Sequence, residues 1–210
     1  MKQPKLILIG AAPRTGKTTV SRLIASQLDY ACLSTDDLLK AITSVTTPNS
    51  HPNFLFMAGW TAQEYYVHHT VDELIHHTLQ RLKDLHLAIE AVIKSHIAKE
   101  DPILIEGFGL WPENIKNLNL SSVGLRNVGM VWLVSDDALL DKRTRNYKPL
   151  YEGASDEERL IQNYAERSIW YNSKVIEAVD RLGIQSIKVS DDLSAEDLSN
   201  TLLDALKLSD

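Results

Sequence analysis

Leu6-Ile7-Leu8-Ile9-Gly10-Ala11-Ala12-Pro13-Arg14-Thr15-Gly16-Lys17-Thr18-Thr19 is the stretch on which the reading of this chain turns. An apolar run reads as a strand buried on both faces. A tight loop follows, and a helix opens at Gly16-Lys17-Thr18, with Val20, Leu23, Ile24 and Leu28 recurring at helical spacing. This is the layout of a phosphate-binding loop, G-x-x-x-x-G-K-[ST]. Backbone N–H groups of such a loop and the positive end of the helix behind it cradle a triphosphate. The candidate nucleotide-binding residues are therefore Ala11, Ala12, Pro13, Arg14, Thr15, Gly16, Lys17, Thr18 and Thr19. Lys17 is expected to reach the β- and γ-phosphates of that triphosphate, and the Thr18 hydroxyl to sit on Mg²⁺. One departure stands out. Ala11 occupies the place of the pattern's first glycine, and Gly10 comes one residue early. If that place needs a positive φ, alanine costs about 1–2 kcal/mol there.

Composition sets the frame around this loop. At 210 residues, a net charge of −6 and no long basic run, the chain does not look like a nucleic-acid binder. No apolar run approaches the roughly 18 residues of a membrane span. The single cysteine, Cys32, allows no internal disulfide, and its apolar neighbours predict a small buried side chain. The start, Met1-Lys2-Gln3-Pro4-Lys5, leads into the strand and is not read as a leader. The expected location is the cytoplasm, as a monomer or homodimer.

Elements then alternate. Strands are expected at Lys5–Gly10, Ala31–Ser34, Ile103–Glu106, Gly129–Ser135 and Ile184–Val189. Between them lie helices at Gly16–Leu28 and Asp36–Val45, a long stretch from Thr61 to Lys99 with a break near Asp84, one from Ser135 to Arg145, one behind Ser155, and a last at Ser194–Leu206. Thr61-Ala62-Gln63-Glu64 and Ser155-Asp156-Glu157-Glu158 both spell capping boxes. Gly183 reads as a C′ glycine. Strands separated by helices imply an α/β fold: a five-stranded parallel sheet with helices on both faces.

In an open parallel sheet, ligands lie beyond the carboxyl ends of the strands. After the second strand come Asp36 and Asp37. After the third come Glu106 and Gly107. Beyond the fourth come Lys142, Arg143 and Arg145. Carboxylates and cations so placed suit phosphoryl transfer. One carboxylate orients a hydroxyl or takes its proton, another holds Mg²⁺, and arginines spread the charge on the group in transit. Two residues apart, Arg143 and Arg145 face different ways on a regular helix, and Arg143 is preferred. Arg159 and Arg167, on the next helix, are weaker candidates. Asp136 and Asp137 read as first-turn helix acids.

With these residues in place, the chain resembles the small-molecule kinases of the P-loop superfamily, the group of nucleoside, gluconate, shikimate and nucleoside-monophosphate kinases. The likeness covers nearly the whole chain in element order. It implies the three-layer P-loop NTPase fold in a single domain, with a helical substrate-side insertion at about 46–100 and a lid at about 143–155. It implies ATP and Mg²⁺, a small hydroxylated acceptor, Lys17, Asp36, Arg143 and Arg145 as catalytic residues, and Asp36, Asp37, Glu106 and Gly107 at the substrate. Thr18 and Glu106 would hold the metal, with Glu in place of the more familiar Asp. Ile103–Pro112 is similar, more loosely, to the corresponding stretch of 2-phosphoglycerate-kinase-like proteins, which carry a Glu-Gly pair and then a Pro.

Other readings compete. His68-His69 and His76-His77 lack the spacing of three or four that metal ligands on one helix take, and a solvated face is expected. Trp60, Tyr65 and Tyr66 read as core, or as cover for the pocket. A GTPase switch would need Asn-Lys-x-Asp, which is absent; Asp180-Arg181-Leu182-Gly183 sits at a helix end, far from the loop. A nucleotide-binding regulatory or assembly module would need neither Asp36 nor the cations of 142–145.

Overall fold

The structure, a computed structural model, describes residues 4–118 and 128–206, so Met1–Gln3 of the lead-in lie outside the described residues. Five parallel strands, β1 (Leu6–Ala11), β2 (Ala31–Ser34), β3 (Ile103–Gly107), β4 (Val128–Val134) and β5 (Ser186–Lys188), form one sheet in the order β2-β3-β1-β4-β5. The chain leaves β1 toward one edge and returns to its other side through β4. This reversal of strand order opens a crevice at the carboxyl end of β1, where the glycine-lysine loop lies.

Strand β1 is buried throughout, and its residues alternate between two cores. Ile7, Ile9 and Ala11 join Val20 and Ile24 of α1 (Lys17–Leu28) and Leu198 and Leu202 of α8 (Ala195–Ala205) on one face. Leu6 and Leu8 face the opposite layer. There they meet Leu82, Leu85, Ile89 and Ile93 of α4 (Val71–Lys99) and Tyr171, Val175 and Val179 of α7 (Glu157–Leu182). Two alternating faces, each covered by helices, give the three layers that the apolar strand predicts.

Gly10 has its own reason to be glycine. The Trp132 indole lies against it, and a Cβ there would fall 2.0 Å from the ring nitrogen, which donates to the Leu110 carbonyl at 3.0 Å. Ala11 meanwhile is the last residue of β1, and its backbone is not among those with positive φ. The expected strain at Ala11 is absent; the left-handed residues of the loop are Arg14 (φ 67°) and Gly16 (φ 89°).

Several local expectations shift. The stretch from Thr61 is broken not at Asp84 but after His68, giving α3 (Ala62–His68) and then α4, which runs straight through Asp84. A reciprocal capping box of Thr70 and Glu73 starts the new helix. At Thr61 and at Ser155 the box is incomplete, because Ser155 donates its N–H and hydroxyl to the Glu64 carboxylate at 2.8 and 2.6 Å. Asp156 caps α7 instead. Asp136, not Ser135, precedes α6 (Asp137–Arg145), since Asn172 holds the Ser135 backbone from both sides. Cys32 is exposed, because β2 is an edge strand. The remaining helices are α2 (Thr35–Val45) and the short, unforeseen α5 (Pro112–Asn117).

Candidate active site

Register sets the site up before any side chain is considered. Ile9 pairs with Glu106 and Gly10 with Gly107, so the end of β3 lies beside the start of the loop. The loop is braced by the Thr15 hydroxyl, which donates to the Ala12 carbonyl at 2.9 Å. Gly16 then sits at the N-cap of α1 with no side chain to close it, leaving the first N–H groups of the helix for a ligand.

The Thr18 hydroxyl donates to Glu106 Oε1 at 3.1 Å, while Oε2 of this buried carboxylate has no hydrogen-bond partner. A buried, half-satisfied carboxylate beside a P-loop hydroxyl fits a hard, oxygen-seeking cation. Thr18 and Glu106 could hold such a cation. Gly107 turns the chain away at φ 140°, and a Cβ there would lie 1.8 Å from Thr35 Oγ1. That oxygen accepts from Gly109 N–H at 3.1 Å, which locks the end of β3 to the start of α2.

Ser34 caps α2, accepting from Asp36 N–H at 3.3 Å, and so sets Asp36 on the first turn at the end of β2. A cavity of about 550 Å³ opens there. Its walls include Pro13, Arg14, Gly16, Lys17, Thr18 and Thr19 of the loop, together with Asp36 and Arg143. Among the described residues neither the Lys17 ammonium nor the Asp36 carboxylate has a hydrogen-bonded or ionic partner within the protein. Asp37 is not on the wall; it pairs with Lys40 at 3.5 Å.

The two arginines of α6 part company, as their spacing implies. Arg143 donates to the Arg14 carbonyl at 3.2 Å, to the Ser190 carbonyl at 3.3 Å and to Asp191 at 3.2 Å, tying the phosphate loop to the segment after β5. Asp191 also receives Lys142 at 2.6 Å, and these cations hold it below the usual carboxylate range. Arg145 faces outward, paired with Asp141 and Glu158, and does not line the cavity.

The same cavity is lined by residues that sequence reasoning missed or ranked low: Thr78 and Arg81 of α4, Tyr66 of α3, Tyr147 after α6, and Tyr164 and Arg167 of α7. Arg167 is only 5% exposed, yet meets no carboxylate among the described residues. It donates to the Tyr66 hydroxyl at 2.9 Å, its guanidinium lies 5.0 Å from the Tyr164 ring centre, and its Nε is buried without a partner among the described residues. Arg81 likewise has no carboxylate there; it donates to the Tyr65 hydroxyl at 3.1 Å. The Tyr65 oxygen lies 2.7 Å from His77 Nδ1, and His77 stacks on Phe56 at 3.9 Å. Burial pushes the Tyr65 phenol up to about 12 and holds His77 below its ordinary range. His69 and His77 are thus turned against Tyr65, while His68 and His76 are exposed, so the solvated-face expectation fails for half of the set. One sequence signal did exist for the arginines. Each interrupts a largely apolar stripe: Leu74, Leu82, Leu85 on α4, and Leu160, Tyr164, Tyr171, Val175 on α7.

No protein-family model matches the chain, and no curated protein matches it. Solved structures do. A gluconokinase from Sinorhizobium meliloti 1021 superposes with a TM-score of 0.57 at 15% identity, covering 99% of this chain and 94% of its own. A shikimate kinase from Acinetobacter baumannii, in complex with shikimate, gives 0.51 at 17% identity, covering 98% and 94%. A shikimate kinase from Bacteroides thetaiotaomicron gives 0.52 at 17% identity, covering 96% and 98%. The chain has the fold of the P-loop small-molecule kinases.

Proposed function

We propose that the protein is an ATP-dependent phosphotransferase whose acceptor is a small molecule carrying both a hydroxyl and an anionic group. One observation carries this reading. A single cavity is lined by the phosphate loop, by an unpaired carboxylate and, beyond the loop, by two arginines of α4 and α7 that have no acidic partner among the described residues. Burying a guanidinium without a counter-charge is costly, so Arg167 calls for an anion that the described residues do not supply, and the half-buried Arg81 adds a second cation to the same cavity. The loop already accounts for the nucleotide's phosphates. Those arginines come from α4 and α7, outside the loop, and suit a carboxylate or phosphate on the acceptor.

The roles follow from position. Loop N–H groups and Lys17 hold the triphosphate. Asp36 takes the acceptor hydroxyl as hydrogen-bond donor and receives its proton as the new O–P bond forms. Arg81 and Arg167 fix the acceptor's anionic end, so that the hydroxyl is presented rather than merely bound. Mg²⁺ between Thr18 and Glu106 would neutralise phosphate charge. The same cavity argues against a purely regulatory nucleotide module, which would need no Asp36 and no buried Arg167.

The test is transfer from Mg-ATP to a panel of hydroxylated carboxylates and phosphate esters beside neutral polyols. Stimulation by one or a few anionic compounds is expected. Asp36→Asn should lower transfer by about 10²–10⁴-fold and leave the nucleotide-induced thermal shift intact. Nucleotide binding with no acceptor of either kind would favour the regulatory module. Loss of the shift in wild type would dismiss the phosphate-loop reading altogether.

A further inference from the structure

Three described residues other than glycine have positive φ: Arg14, Asp29 and Glu100. Asp29 and Glu100 are the C-caps of α1 and α4, where a left-handed residue ends a helix in the ordinary way. Arg14 ends no helix. It lies inside the phosphate loop, at a backbone position that glycine would occupy without strain. A long cationic side chain there needs another reason.

Its surroundings supply one. The guanidinium lies on the cavity wall, 3.6 Å from the Tyr147 ring centre and 5.8 Å from that of Tyr164. Its Nε is buried without a hydrogen-bond partner, and no carboxylate among the described residues pairs with it. The charge is held on the faces of two aromatic rings, which attract a cation but do not consume its N–H donors. Lys17 and Asp36 line the same cavity. The Arg14 carbonyl, which accepts from Arg143 at 3.2 Å, fixes the residue's backbone from the side of α6.

We propose that Arg14 is a catalytic residue whose guanidinium donates to the phosphoryl group in transfer, with Tyr147 holding it aimed across the cavity. This rests on the phosphotransferase reading. In the step, the bond between the γ-phosphorus and the β–γ bridging oxygen breaks, and its electron pair stays with ADP. The acceptor oxygen bonds to phosphorus, and its proton passes to Asp36. Arg14 keeps its own protons throughout and meets the charge on the equatorial oxygens. The loop thus carries its transition-state cation within itself.

The experiment compares wild type, Arg14→Gly, Arg14→Lys and Tyr147→Ala. Two readouts need no identified acceptor: slow hydrolysis of Mg-ATP, with water in the acceptor's place, and thermal shift with Mg-ADP plus aluminium fluoride against a non-hydrolysable ATP analogue. Arg14→Gly should lower hydrolysis by about 10²-fold or more, toward the range of other transition-state arginines. It should also lose the extra shift given by aluminium fluoride, while binding the ATP analogue within about threefold of wild type and melting at the same or a higher temperature. Arg14→Lys should recover only part, because an ammonium lacks the fork of donors. Tyr147→Ala should show a smaller loss of the same kind. Hydrolysis and aluminium fluoride response matching wild type in Arg14→Gly overturn the proposal. So does a loss of ATP-analogue binding as large as the loss of rate, which would make Arg14 a ground-state ligand. Absence of any nucleotide shift in wild type is a different failure, that of the phosphate-loop reading.

Discussion

Arg167 is the residue whose physics is least symmetrical between the empty and the occupied protein. A buried cation without an acidic partner lowers stability until an anion arrives. Arg167→Met keeps length and apolar contact and removes the charge, so it should melt at or above the wild-type temperature while losing all response to the acceptor. Destabilisation by more than about 1 kcal/mol in urea would mean that the bond to Tyr66 is structural, and the anion-holding role would lose its support. Arg81 depends on a neighbour in another way. Its partner Tyr65 shares its hydroxyl with His77 Nδ1, which must be unprotonated to accept that proton. Burial, then His69 and Arg81, hold His77 below its ordinary range. The unfolded chain therefore binds the proton first as pH falls, and stability due to His77 is present above about 6.5 and declines below it. His77→Gln should flatten the fall in melting temperature between about pH 7 and 5. The paired carboxylates titrate lower and leave that window alone. Equal slopes in the two proteins would remove His77 from the account.

At the scale of elements, legibility followed locality. The loop from Gly10 to Thr19 could be read because its chemistry lies within ten consecutive positions, and strand-end logic then picked out Asp36 and Glu106. The same four-residue capping pattern misled at Thr61 and Ser155 because the Glu64 carboxylate is taken by a residue 91 positions away. No local pattern announces that competition. Arg81 was invisible for a related reason. An arginine on a helix is ordinary until tertiary packing shows which cavity it enters. Gly107 gives this scale its prediction. Its φ of 140° and the 1.8 Å approach to Thr35 Oγ1 oppose any Cβ, so Gly107→Ala should cost about 2 kcal/mol or more in urea unfolding. Adding Thr35→Ala should recover the steric part and leave the backbone part. A fully stable Gly107→Ala would show that the β3–α2 junction yields freely.

For the whole molecule, the lid proposed at about 143–155 sets the prediction. The segment 143–155 carries Arg143 and Tyr147 on the wall, and at its far end Ser155 clasps Glu64 of α3, whose carboxyl that contact holds below the usual range. The segment has few buried apolar side chains of its own, so it should open more readily than the sheet. Hydrogen exchange across 143–155 should slow markedly only with nucleotide and acceptor together, and Ser155→Ala should speed it in the free protein. Equal protection with and without ligands would make the segment fixed structure and dismiss the lid. Edge strand β2 offers an instrument for watching this. Cys32 is the chain's one cysteine, exposed, and two residues before the Ser34 cap of α2. A maleimide dye would therefore attach at one position per molecule without any engineered change. On the strand that leads into α2, it would report any movement of that element as a fluorescence signal that can be followed in single molecules.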